Sequence, residues 1–248
     1  MNTSKTSNCP TNFCRARSSS SATNLGRLFD YLKANDLEKD TIVVFTSDNG
    51  GIRSISTQAP LRAGKGSYYE GGIRVPLVIR WPGNIKAGTS SDMPTTNLDL
   101  YPTLLDLAGA NYDASQLDGK SISRQLLKRR PLAERALIWH FPIYLQAYKP
   151  KDDDGRDPLF RTRPGSVIRR GKWKLHEYFE DGTLELYNLN SDLGERQNLA
   201  KKKPEIAQRL HKELKAWRSS VNAPVPTAPN PEYDAAAEKL LTEKALAK

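Results

Sequence analysis

Two short stretches of the sequence gather side chains with chemical potential. Asp48 and Asn49 stand side by side, preceded by Ser47 and followed by Gly50 and Gly51. A carboxylate and a carboxamide oxygen are hard donors suited to calcium or magnesium, and glycines let the backbone approach a bound group closely. The same residues also build an ordinary β-turn. Further on, Ala63-Gly64-Lys65-Gly66-Ser67 sets a lysine between two glycines. An ammonium held this way can meet an oxygen of a sulfate or phosphate and stabilise charge developing there. The alternative is a flexible basic surface loop, and the spacing is not that of a phosphate-binding P-loop.

The neighbouring segment Glu70-Gly71-Gly72-Ile73-Arg74-Val75-Pro76 supplies Glu70 and Arg74, whose expected role is support through ion pairs. The histidines are His140, His176 and His211. His140 lies in Trp139-His140-Phe141-Pro142, an aromatic loop that either lines a substrate pocket or simply packs. His176 and His211 read as ordinary surface or packing residues. Asp152, Asp153 and Asp154 lack the EF-hand order of donors and read as a solvated acidic turn.

These residues need elements to hold them. Leu25, Leu28, Phe29 and Leu32 recur at helical spacing, and Asn35 can end that helix. Ile42, Val43, Val44 and Phe45 form a continuous β-branched and aromatic run, the pattern of a strand of parallel type covered on both faces. Asp48 and Asn49 then sit at the carboxyl end of that strand, where open α/β sheets place their ligand crevice. Val75 to Trp81 reads as a second buried strand, and Pro102 to Leu107 as a helix stopped near Gly109. Beyond Pro131, Ser166 to Leu175 and Thr183 to Tyr187 read as antiparallel strands with turns at Gly171 and Asp181-Gly182. Ile206, Leu210, Leu214 and Trp217 predict a helix over that sheet. The resulting partition is a disordered lead-in over 1–21, an α/β portion over 22–130, a C-terminal α+β subdomain over 131–221 and a Pro-rich tail over 222–248.

Composition bounds the rest. The chain has 248 residues, 38% of them hydrophobic, and a formal net charge of +10, which favours anionic partners without naming one. Cys9 and Cys14, the two cysteines, both lie near the amino terminus, so no disulfide framework staples the body of the fold. No apolar run is long enough for a membrane span. The basic residues do not interleave with aromatics in the manner of a nucleic-acid surface, so no nucleic-acid partner is expected.

Taken together, Thr41 to Gly51 and Pro60 to Leu77, with Asp99-Leu100-Tyr101-Pro102-Thr103-Leu104-Leu105, Leu117-Asp118-Gly119 and Glu185-Leu186-Tyr187-Asn188-Leu189, resemble the sulfatase family of the alkaline-phosphatase-like superfamily. The resemblance implies an α/β fold: an incomplete alkaline-phosphatase-like parallel-sheet domain followed by a small C-terminal antiparallel sheet with a covering helix. It implies sulfuric ester hydrolysis with one divalent cation, Ca2+. Asp48 and Asn49 match the second pair of calcium ligands, and Lys65 matches a lysine that contacts the substrate sulfate. The expected partner is a sulfate ester, a sulfated carbohydrate among the candidates.

The family's formylglycine nucleophile comes from a C-x-P-x-R or S-x-P-x-R motif. Here Cys9 is followed by Pro10-Thr11 and Cys14 by Arg15-Ala16, and no serine version occurs. The family's first acidic metal-binding pair has no match either. The expectation is a carboxyl-terminal portion with little activity alone, periplasmic or secreted if a leader precedes it. The alternatives are a phosphatase or phosphodiesterase of the same superfamily, against which three scattered histidines speak, and a non-catalytic module binding anionic glycans.

Overall fold

A computed structural model of the chain describes residues 18–147, 153–156, 158–228 and 230–247. Cys9, Cys14 and the rest of residues 1–17 of the lead-in lie outside the described residues, as do residues 148–152, Asp152 among them. The fold is mixed α/β with antiparallel sheets, and the chain groups into two compact units.

One unit comprises residues 19–48 and 76–135. Helix α1 (Ser18–Ala34) begins ahead of its apolar stripe, buries Leu32 and stops where expected, with the Asn35 side-chain amide donating to the Tyr31 carbonyl. Strands β1 (Val43–Thr46) and β2 (Leu77–Arg80) pair antiparallel, with Phe45 opposite Val78. This corrects the reading of a parallel-type strand buried on both faces. Among the described residues each strand has one neighbour, and the Phe45–Val78 pair remains 47% and 56% exposed. The apolar run recorded a strand correctly; it does not encode which strand lies beside it. Helices α2 (Leu100–Leu107) and α3 (Ser123–Lys128) are tied by Asp99, whose carboxylate accepts from the Thr96 and Lys120 amides and pairs with Arg135.

The other unit comprises residues 49–75 and 136 onward, so packing groups the Lys65 segment with the carboxyl-terminal sheet and not with the strands that flank it in sequence. Its main sheet runs in the order β3 (Ala136–Phe141), β6 (Gly165–Arg170), β7 (Trp173–Tyr178), β8 (Leu184–Asn188), all antiparallel. A short pair, β4 (Leu145–Gln146) and β5 (Phe160–Thr162), stands beside it in sequence. Glycines in the left-handed region, Gly171 and Gly182, make the turns that the sequence predicted.

Helix α4 (Pro204–Ser220) presents Ala207, Leu210 and Leu214 to Ile168, Leu175 and Leu186, forming a dry core on one face of the sheet. At roughly 25 cal/mol per Å2 of apolar surface, each buried leucine contributes on the order of 2 kcal/mol. Helix α5 (Ala235–Ala247), the final helix of the tail, buries none of its residues and is tethered by Glu238 to Arg163. The opposite face of the sheet is covered by residues 62–74, the segment that carries Lys65.

Candidate anion-binding site on a buried ionic scaffold

The segment from Asn49 to Val75 is held together by backbone passing very close to backbone. Gly50 N–H donates to the Gly72 carbonyl at 2.8 Å, and Lys65 N–H donates to the Gly51 carbonyl at 2.9 Å. A Cβ on Gly50 would lie 1.8 Å from the Gly71 oxygen, and one on Gly72 would lie 2.2 Å from the Ser67 oxygen. Only glycine permits that approach. The two residues after Asn49 therefore grip the Lys65 loop directly. Lys65 itself is exposed, whereas Ala63, Gly64, Ser67, Tyr68, Tyr69 and Glu70 around it are buried. The loop is fixed and its ammonium is presented, which is not the flexible basic loop that spacing alone allowed.

What fixes the loop is a set of charged and phenolic groups on the sheet. Side chains alternate along a strand, so Leu175 faces the α4 core while Lys174, His176 and Tyr178 face the loop. Lys174, fully buried, bonds Glu70 at 3.0 Å and Glu195 at 2.9 Å. Glu195 in turn accepts from His176 Nε2 at 3.0 Å and from the Glu70 amide at 2.5 Å. On β8, Glu185 accepts from the hydroxyls of Tyr69 at 2.8 Å and Tyr187 at 2.9 Å. Arg62 lies over the Tyr69 ring at 4.0 Å and donates to the carbonyls of Glu195, Asp154 and Gly155. Glu70 and Arg74 are thus support, as expected, with Arg74 paired to Glu70 at 3.4 Å.

The electrostatics of this cluster are consistent with its geometry. Burial by itself raises the Glu195 carboxyl, but Lys174 and the His176 hydrogen bond overcome it and hold the group at about 2. Burial depresses the His176 imidazole, against the upward pull of Glu195, so the ring is neutral and donates from Nε2. Burial also pushes the Tyr69, Tyr178 and Tyr187 hydroxyls up, leaving them protonated donors.

Asn49 and Lys65 belong to one interlocked segment, joined through Gly50 and Gly51. Asp48, the residue before, is exposed and accepts from the Ser47 hydroxyl at 3.4 Å. Among the described residues no group of three or more His, Cys, Asp or Glu side chains is arranged to hold a metal ion. Asp48 and Asn49 remain a pair of hard oxygen donors, chemically suited to calcium and too few to complete its shell.

His140 is hydrogen-bonded within the fold. Its Nε2 lies 2.8 Å from the Pro224 carbonyl, so that nitrogen donates, and Nδ1 lies 2.7 Å from the Ser166 hydroxyl. His211 pairs with Glu177 on the helix side of the sheet. The acidic turn is not simply solvated: Asp153 is 5% exposed, and Asp154 is held bidentately by Arg196 at 2.7 and 2.6 Å. Sequence reasoning missed the Lys174–Glu195–His176 cluster. Its signal was two adjacent strands alternating leucines with Lys174, His176, Glu185 and Tyr187, charges too complementary for an ordinary solvent face.

Comparison with known proteins follows this geometry. The sulfatase family model matches residues 18–110. A sulfatase from Formosa agariphila is 37% identical over 210 residues, covering 77% of this chain and 35% of its own length. The chain belongs to the sulfatase family. Human arylsulfatase A is 30% identical, over 83% of this chain and 43% of its own length. A solved structure in complex with its substrate D-glucosamine-2-N,6-O-disulfate superposes with a TM-score of 0.61 at 25% identity, covering 83% of this sulfatase-family chain and 40% of its own. The chain thus spans well under half the length of the relatives it matches. No helix among its described residues is long and apolar enough to cross a membrane.

Proposed function

We propose that this chain carries the anion-recognising part of a sulfuric ester hydrolase whose substrates are sulfated carbohydrates. The observation that carries the reading is the exposed Lys65 ammonium on a buried, doubly braced Gly64-Lys65-Gly66 loop. In this role Lys65 donates to a sulfate oxygen, orients the ester and stabilises charge on the sulfate group. Asp48 and Asn49 would supply two donors to one calcium ion, which would add Lewis-acid stabilisation of charge on a sulfate ester. Calcium takes roughly six to eight oxygen ligands, so this pair alone binds it weakly. Both ring nitrogens of His140 are engaged within the fold, and this reading does not rely on His140 for substrate contact. Support also comes from the relatives, one of them an arylsulfatase and one solved with a disulfated amino sugar.

The sequence holds no C-x-P-x-R or S-x-P-x-R motif, so no nucleophile is assigned among its residues. The purified chain is expected to bind a sulfated disaccharide in calorimetry, and Lys65→Ala is expected to weaken that binding by about tenfold, the loss of one charge-assisted hydrogen bond. On 4-nitrophenyl sulfate with calcium it is expected to show no turnover above background, and measurable hydrolysis would contradict the reading that these residues hold no nucleophile. If binding of heparin survives Lys65→Ala unchanged and responds to salt alone, the chain is a non-catalytic polyanion-binding module instead.

A further inference from the structure

We infer that the Ser67 hydroxyl is a second contact to the anion held by Lys65, donating to a sulfate oxygen from within the same turn. This rests on the reading of Lys65 as the sulfate contact and deepens it. Ser67 N–H donates to the Gly64 carbonyl at 3.1 Å, which closes a four-residue turn with Lys65 and Gly66 at its centre. Gly66, with a φ of +86°, meets the demand of a type II turn for a positive φ at that position. The ammonium and the hydroxyl therefore belong to one turn, whose ends lie within about 7 Å of each other. A shallow depression beside the turn is lined by Gly64, Lys65 and Ser67 together.

The two side chains are held differently. Lys65 is exposed, whereas Ser67 is 6% exposed and its Oγ finds no hydrogen-bond partner among the described residues. Neighbouring hydroxyls are committed: that of Tyr68 lies 2.8 Å from the Phe141 carbonyl, and that of Tyr69 donates to Glu185 at 2.8 Å. A buried hydroxyl without a partner has lost its water and gained no acceptor, so by itself it weakens the fold. A bound anion supplies the missing acceptor.

The Oγ lies over Gly72, where an added Cβ would come within 2.8 Å of it. Turning χ1 to another staggered position surrenders no hydrogen bond, so the hydroxyl can meet an anion in the depression at little cost. Beside an ammonium it adds one directed donor and no further charge. Asp153 lines the same depression, and a hydroxyl committed to that carboxylate instead would reveal itself as stability lost on replacement.

Sodium sulfate titrated calorimetrically into the full chain at constant ionic strength, with urea denaturation of the same variants, separates these roles. Ser67→Ala is expected to weaken sulfate binding by about tenfold, the loss of one hydrogen bond to a charged group, and to leave the urea midpoint equal to or above that of the wild type. A merely structural serine gives the opposite pattern, a lowered midpoint with affinity unchanged, and that result overturns the inference. So does a fall in both, which would mean that the loop itself has loosened, and so does no change in either. Ser67→Cys, which keeps the shape of the side chain with a weaker donor, is expected to fall between wild type and Ser67→Ala in affinity, and wild-type affinity there also overturns the inference. If Lys65→Ala leaves sulfate binding unchanged, the underlying reading fails; if it removes that binding while Ser67→Ala does not weaken it, this inference alone fails.

Discussion

The two faces of the β3–β6–β7–β8 sheet are equally well buried and chemically opposite. On one, Ile168, Leu175 and Leu186 meet Leu210 and Leu214 of α4, contacts that reward volume and carry no direction. On the other, Lys174, His176, Glu185 and Arg169 meet Glu70, Tyr69 and Glu195, contacts that work only in one arrangement. A buried ion pair contributes little net stability against an apolar substitute of the same shape, but half of one is costly. The apolar face therefore explains that the unit folds, and the ionic face explains where residues 62–74, and with them Lys65, must lie. The lesson is that stability and site geometry are separable here, and variants on each face can break that separation.

The largest effect is expected from Lys174→Met, which strands Glu70 and Glu195 without their shared cation. It should reduce stability by about 3–5 kcal/mol in urea denaturation and also weaken sulfate binding. The double variant Lys174→Met/Glu70→Gln should recover part of the stability and not the binding. Leu210→Ala on the apolar face should cost about 2–5 kcal/mol and leave the sulfate affinity of the folded fraction unchanged. If the two single variants shift sulfate affinity alike, the faces do not divide the work.

A smaller effect belongs to pH. The His176 imidazole is held below its ordinary 6.5, so the unfolded chain takes up a proton there before the folded chain does. Stability is full above about 6.5 and declines as pH falls below it, by up to about 1.4 kcal/mol per pH unit for one proton. Glu195, held at about 2 against 4.5, contributes stability that is present above 4.5 and lost as pH drops towards 2. Urea midpoints followed from pH 8 to 4 should show the first decline in the wild type and a flattened profile between about 6.5 and 5 in His176→Gln. An identical slope in both would remove His176 from the account.

Much of the scaffold was legible in the sequence because it is local. The strand after Thr41, the turns at Gly171 and Gly182 and the helix from Pro204 all follow from runs, periods and turn residues. The Lys65 loop was marked by its glycines. What was not legible depends on distance along the chain. Lys174 meets Glu70 across more than a hundred positions, and no period links them. The antiparallel partner of β1 and the grouping of residues 49–75 with the carboxyl-terminal sheet are likewise matters of which segments meet, and the isolated pattern of each is silent on that. His176, read as unremarkable, gains its meaning only from Glu195 on a separate turn.

The central claim is that a rigid, ionically positioned loop presents Lys65 to a sulfate. Titrating sodium sulfate into the isotope-labelled chain at constant ionic strength tests it most directly. The account predicts that the amide signals of Gly64 to Ser67 and Asn49 to Gly51 move together, and that Lys65→Ala removes the response while the spectrum remains folded. Signals that move elsewhere, or a response that Lys65→Ala leaves intact, would contradict it.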